Sequence, residues 1–245
     1  MKVVILAGGK GTRLSELTNQ IPKPMVKIGS KPILIHIMTQ YLKYGFKDFY
    51  ILAGYKKNII CNFFNNFKKI SQSFKYSIKG RDCNITIIDS GKNTMTGGRI
   101  KKIGNLLKKN EIFFFTYGDG VGNVNINNLL KFHLQNKKII TVTSVRPPAR
   151  FGEIIIKNNL AISFREKPQT GEGWINGGYF VAKKEFLNFI KSDKTILEKS
   201  PLEIATKKKQ LSVFKHFGFW KCLDTIRDKE ILKDIYKKNN FYHNF

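Results

Sequence analysis

The run Val3-Val4-Ile5-Leu6-Ala7 is short, apolar and rich in β-branched residues, and it breaks at once into Gly8-Gly9-Lys10-Gly11-Thr12-Arg13. Such a run suits a strand buried on both faces, and the glycines suit a tight loop at its carboxyl end. Lacking Cβ atoms, Gly8, Gly9 and Gly11 can take positive φ and bring backbone N–H groups close to an anion, while Arg13 adds a forked donor that stays charged. The segment is suited to gripping a nucleotide's phosphates. It completes neither familiar phosphate-loop pattern: no Gly-Lys-Ser/Thr ending follows, and Leu14 stands where a dinucleotide fingerprint needs its third glycine. On this segment alone, a tight turn that holds no ligand stays open.

The rest of the chain repeats the alternation that the first run begins. Strand-length apolar runs at 3–7, 49–53, 85–89, 112–117, 139–145, 154–156, 161–166, 175–181 and 211–217 are separated mostly by stretches of helical period. That pattern predicts an α/β fold, a mostly parallel sheet flanked by helices. In the segment 32–44, Ile33, Ile37, Tyr41 and Tyr44 share one helical face, and Ser200, Pro201 and Glu203 mark another helix start. A last helix is expected over 225–238. With 245 residues, 42% apolar, and no linker or repeat, one domain is expected. Residues 1–145 form its nucleotide-binding half and 146–245 a less regular half carrying acceptor contacts. In open sheets of this kind ligands collect beyond the carboxyl ends of the strands, where Gly8–Arg13, Ser90–Arg99 and Gly118-Asp119-Gly120 all fall.

A formal charge of +27 raises nucleic-acid binding as a rival function. The lysine pairs 56–57, 101–102, 108–109, 137–138, 183–184 and 237–238 are scattered over nearly every expected helix, not gathered into a groove with interleaved aromatics. No nucleic-acid partner is therefore expected, and the broad positive field would speed encounter with anionic substrates. Cys61, Cys83 and Cys222 are widely spaced and form no metal-like cluster with the four histidines, so reduced thiols are expected. The first apolar run is too short for a signal-peptide core and no run approaches ~20 residues, so a cytoplasmic protein without a membrane partner is expected.

Two further motifs carry charge. In Pro22-Lys23-Pro24-Met25 the prolines stiffen the backbone around one lysine. Asp119 ends a strongly apolar strand between two glycines, where its carboxylate can project toward a metal or cap the next turn.

Leu6-Ala7-Gly8-Gly9-x-Gly11-Thr12-Arg13-Leu14 followed by Pro22-Lys23-Pro24-Met25 resembles the signature of sugar-phosphate nucleotidyltransferases. Lys31-Pro32-Ile33-Leu34, Thr94-Met95-Thr96-Gly97-Gly98-Arg99, Thr116-Tyr117-Gly118-Asp119-Gly120-Val121, Glu166-Lys167-Pro168, Ile175-Asn176-Gly177-Gly178 and Asp224-Thr225-x-Arg227-Asp228 follow in order. These are similar to the branch that uses CTP and glucose 1-phosphate. The resemblance implies a Rossmann-like sheet of the nucleotide-diphospho-sugar transferase type, a CTP and sugar 1-phosphate pair as partners, and a homo-oligomer. It implies Mg²⁺ held by Asp119 and Asp224, although Asp224 could equally cap the final helix. It assigns the nucleotide to Leu6, Ala7, Gly8, Gly9, Gly11, Thr12, Arg13, Thr96, Gly97 and Arg99. It assigns the sugar phosphate to Glu166, Lys167, Asn176 and Gly177.

The reaction so implied is attack of a sugar 1-phosphate oxygen on the α-phosphorus with loss of pyrophosphate. The nucleophile is already anionic, so catalysis rests on alignment and charge neutralisation. Arg13 and Lys23 are the expected catalytic cations, and their loss should cut turnover by ~10² with folding nearly intact. His36, His133 and His216 are left to packing, and Arg99 and Arg227 are open between substrate contact and structural pairing. Residues 68–82 carry no motif and are expected to form a flap near the site. Another triphosphate such as dTTP or UTP, another acceptor, or a binding protein without turnover are the competing readings.

Overall fold

In the computed structural model of the protein, the described residues are 1–64, 71–146, 153–165 and 173–238. The strands are β1 Lys2–Ala7, β2 Lys27–Ile28, β3 Lys31–Pro32, β4 Asp48–Ala53, β5 Ser73–Ile78, β6 Arg81–Asp89 and β7 Ile112–Tyr117. They continue with β8 Gly120–Gly122, β9 Ile140–Val145, β10 Glu153–Lys157, β11 Leu160–Arg165, β12 Ile175–Lys183, β13 Leu211–His216 and β14 Trp220–Cys222. The helices are α1 Ser15–Thr18, α2 Ile33–Lys43, α3 Lys57–Phe63, α4 Thr96–Lys101, α5 Ile126–Asn136, α6 Ser200–Lys207 and α7 Ile226–Lys237.

Eight strands form one sheet in the order β13-β9-β12-β7-β1-β4-β6-β5. β1 pairs in parallel with β4 and β7, β4 with β6, and β9 with β13, whereas β12 and β5 run against their neighbours. The expected mostly parallel α/β sheet is the one observed. β12, from the second half of the chain, lies between β7 and β9 of the first, so both halves share one sheet.

Alternation along β1 sends Val3, Ile5 and Ala7 into one apolar layer, under α2, and Val4 and Leu6 into the other, with α4 and α6. Phe114 follows the first layer and Phe113 and Phe115 the second, where the Phe115 ring stacks on Phe180 at 4.3 Å between centroids. Burial on both faces explains why these strands are almost wholly apolar.

Two expectations fail here. Residues 73–78 are not a flap: they form edge strand β5, an antiparallel hairpin with β6 that buries Ile78 and packs Phe74 and Tyr76 on the core. The alternating Ser73, Lys75 and Ser77 hide that strand, because they face solvent at the sheet edge. Residues 68–70 lie outside the described residues. The N-cap of α7 is Thr225, locked in a reciprocal capping box with Asp228, so Asp224 is not the cap. No helix among the described residues is long and apolar enough to cross a membrane.

Candidate active site

The carboxyl end of β1 opens into a cavity of about 480 Å³ bounded by Gly8–Arg13 on one side and residues 92–96 on the other. Ala7 ends the strand and Gly11 turns it, with φ 66° in the left-handed region that favours glycine. Thr18 fixes this turn by donating from Oγ1 to Gly11 O at 2.9 Å and to Leu14 O at 3.0 Å. Gly8 and Gly9 do not need positive φ. Gly8 is a glycine because a Cβ there would strike the Arg99 guanidinium, and Gly9 has open space where a Cβ would stand. Thr12 and Arg13 begin the single helical turn Thr12–Leu14 that follows.

Lys23 starts another single turn, Lys23–Met25, held between extended Pro22 and the sheet, and all three of its residues are buried. Gly118 permits this approach, since a Cβ there would meet Leu6 O at 2.6 Å and Pro24 Cγ at 2.9 Å. Lys23 Nζ therefore reaches the end of β7. It donates to Asp119 Oδ2 at 2.6 Å and to Asp224 Oδ1 at 2.6 Å. Arg13 donates to the second oxygen of Asp224 at 2.7 Å. Cys222, on the short ribbon β8–β14 that carries Asp224 beside Asp119, donates from Sγ to the same oxygen at 3.4 Å.

Four residues from distant parts of the sequence thus form one alternating chain of charge. Burial works against the Lys23 ammonium, but Asp119 and then Asp224 outweigh it and hold its pKa above the ordinary lysine value. Burial likewise opposes the Asp224 carboxylate, and Lys23, then Arg13, hold it below the usual range. Both stay ionised at neutral pH. The two ends differ in exposure: the Lys23 side chain is 9% accessible and that of Arg13 73%, so Arg13 is open to solvent at the rim.

Arg99 is buried and has no ion pair within the cluster. Its guanidinium donates to Ser90 Oγ at 2.6 Å and Gly91 O at 2.7 Å, and it fills the space that Cβ atoms at Gly8 and Gly54 would occupy. It lines the cavity while stitching three strand-end loops together. Thr96 also lines the cavity. Gly97 turns away: its N–H donates to Thr195 O at 3.0 Å.

Of the residues expected to meet the sugar phosphate, Asn176 Nδ2 donates to Tyr117 OH at 3.2 Å and its Oδ1 accepts from Gly178 N at 2.8 Å. Gly177 O accepts from Trp220 Nε1 at 2.7 Å. Glu166 and Lys167 lie outside the described residues. Tyr117 and Glu198 were missed by sequence reasoning. Tyr117 sits inside the motif that delivers Asp119, a signal that could have found it, whereas Glu198 lies in an ordinary helix approach and carries none.

The three histidines serve the framework: His36 Nε2 contacts Ile28 O, His133 Nδ1 contacts Thr141 Oγ1, and His216 Nε2 contacts Phe219 O. Cys61, Cys83 and Cys222 are free thiols.

A cavity at the carboxyl end of a central strand, with a glycine loop, paired carboxylates and two cations, has the chemistry of nucleotidyl transfer. Residues 2–225 match the family described as Nucleotidyl transferase, and the chain belongs to that family of enzymes. Within it, the chain is 43% identical to glucose-1-phosphate cytidylyltransferase of Salmonella typhimurium, over 97% of this chain and 96% of that one. It is 38% identical to a probable glucose-1-phosphate cytidylyltransferase of Bacillus subtilis, over 93% of each. Among solved structures, HddC from Yersinia pseudotuberculosis has the same fold, with a TM-score of 0.71, 24% identity, and coverage of 96% of this chain and 99% of that one.

Proposed function

We propose that the enzyme joins CTP and α-D-glucose 1-phosphate to give CDP-glucose and pyrophosphate. The observation that carries this reading is the meeting of Asp119 and Asp224 on one ammonium at the rim of the cavity walled by Gly8–Arg13. A phosphate oxygen of the sugar ester attacks the α-phosphorus, a new P–O bond forms, and the α–β bridging bond breaks with its electron pair leaving on pyrophosphate. No proton has to be removed from the nucleophile, so none of the histidines is needed.

The chain's own residues align and neutralise. The backbone from Gly8 to Thr12 cradles the phosphates, with Gly9 leaving room for close approach. Arg13, exposed at the rim, moves from Asp224 to the departing pyrophosphate, and Lys23 holds the α-phosphate side of the reaction centre. Thr96 and Arg99 bound the nucleotide end, while Asn176 and Gly177, with Glu166 and Lys167, take the sugar phosphate.

Asp119 and Asp224 fit a divalent cation. Two carboxylates already converge on a single positive charge, and Mg²⁺ typically takes one or two protein carboxylates with phosphate oxygens and water completing its shell. Bound there, Mg²⁺ supplies charge neutralisation at the triphosphate. The homologues' names favour CTP and glucose 1-phosphate over other pairs. Pyrophosphate release measured across CTP, UTP, dTTP and GTP with several sugar 1-phosphates tests the reading: release should be fastest with CTP and glucose 1-phosphate. Release with another pair only would replace the substrates, and no release with any pair would leave a binding protein.

A further inference from the structure

The stretch 193–198 precedes α6 and runs along the start of α4, on the nucleotide side of the cavity. Backbone bonds fasten it there: Met95 N to Asp193 O at 2.8 Å, Gly97 N to Thr195 O at 3.0 Å, and Gly98 N to Thr195 O at 3.2 Å. The paired glycines are what allow this approach. A Cβ at Gly97 would meet Thr195 O at 2.8 Å, and one at Gly98 would meet Asp193 Cα at 2.5 Å.

Glu198 ends this stretch, and its two oxygens have different partners. Oε2 accepts from Thr96 Oγ1 at 2.7 Å, while Thr96 Oγ1 itself accepts from Leu197 N at 2.9 Å. Oε1 accepts from Tyr117 OH at 2.5 Å, and the same phenol oxygen accepts from Asn176 Nδ2 at 3.2 Å. Burial first, and Glu198 second, raise the Tyr117 pKa, so the phenol remains a donor. Thr96 and Tyr117 both line the cavity. One carboxylate therefore ties a residue on the nucleotide side to two residues on the acceptor side.

We propose that Glu198 is a positioning residue that couples the two substrate sites, an inference that rests on the chain being a CTP-dependent sugar-phosphate transferase. Nucleotide packed against the Thr96 loop fixes Glu198, and Glu198 then holds Tyr117 and Asn176 in the orientation the sugar phosphate meets. The cost of ordering this network falls on the first ligand, and the second binds a site already set. Reciprocity follows: each substrate tightens the other's binding by the same factor.

The test is calorimetric binding of α,β-methylene-CTP, which cannot release pyrophosphate, with and without saturating glucose 1-phosphate. The wild type should show ~5-fold tighter analogue binding when the sugar phosphate is present, within the ordinary range of site coupling. Glu198→Ala should abolish that tightening, leave analogue affinity without the sugar phosphate within ~2-fold, and leave the melting temperature nearly unchanged because the residue is exposed. In a Tyr117→Phe background, Glu198→Ala should have little further effect on the coupling. Coupling that survives in Glu198→Ala, coupling absent from the wild type, or additive losses in the double variant would each overturn the proposal. A wild type that binds both ligands cooperatively but releases no pyrophosphate with any pair would instead overturn the catalytic reading.

Discussion

The two sides of the cavity are built on different physics. One is a charge chain, Arg13, Asp224, Lys23 and Asp119, whose members are paired across a long stretch of sequence. The other is a chain of uncharged groups, in which Asn176 and Tyr117 are joined to Thr96 through the one exposed carboxylate of Glu198. Charge pairs in a partly buried site fix position strongly and resist removal, whereas hydrogen bonds to an exposed group are worth about 1 kcal/mol net and adjust readily. Under the proposed function, the charge chain serves the reacting phosphates and the hydrogen-bonded chain serves substrate fit.

The largest effects should come from breaking the charge chain. Asp119→Asn and Asp224→Asn should each lower turnover by ~10³, as loss of a group that stabilises transferring charge does, in a steady-state pyrophosphate assay. Glu198→Ala should cost far less. Turnover losses of similar size on both sides would dissolve the distinction.

Next come the two cations. Arg13→Ala and Lys23→Met should each lower turnover by ~10². Their stabilities should separate them, which refines the sequence-based expectation that both leave folding intact. Arg13 is largely exposed and its removal should cost under ~1 kcal/mol, whereas loss of Lys23 strands two carboxylates and should cost about 3 kcal/mol by urea titration.

Glycine substitutions sharpen the contrast further. Gly98→Ala forces a methyl group into the Asp193 backbone and should destabilise by about 2 kcal/mol in thermal or urea unfolding, loosening the stretch that carries Glu198. Gly9→Ala meets open space, so its folding cost should stay near or below ~1 kcal/mol while nucleotide affinity falls, read by calorimetry.

The smallest effect lies away from the cavity and serves as a control. Burial opposes the charge on Glu111, but Lys2 at 2.5 Å outweighs it and holds the pKa below the ordinary 4.5. A depressed folded pKa means that the stabilisation is present above 4.5 and is lost as pH falls through the lower folded value. Glu111→Gln should therefore be about 1 kcal/mol less stable than wild type at pH 7, and the gap should close as pH falls below 4.5, without change in activity.

Much of this molecule is legible in its sequence because burial on both faces leaves apolar runs that period alone detects. β1, β4, β7 and β9 fall within a residue of the expected bounds for that reason. β5 escaped because its outward residues are Ser73, Lys75 and Ser77, and an edge strand with one polar face looks like loop. Arg13, Lys23 and Asp119 were legible because glycines and prolines flag the loops that carry them, whereas Asp224, with neither beside it, was indicated only by the family resemblance. Glu198 was not, because its role depends on where the stretch 193–198 lands, and only Gly97 and Gly98, on the other side of that contact, hint at the landing. The Asp224 ambiguity was of another kind: Asp224 and Thr225 both make good caps, and only the geometry of the Thr225–Asp228 box decides between them.

The decisive experiment is phosphorus NMR of the purified protein with CTP, glucose 1-phosphate and Mg²⁺. The three CTP signals and the glucose 1-phosphate signal should disappear as a coupled diphosphate pair and free pyrophosphate grow, with no such change in Asp119→Asn or Asp224→Asn over the same interval. Unchanged CTP in the wild type, or CDP-glucose formed at an undiminished rate by either variant, would contradict it.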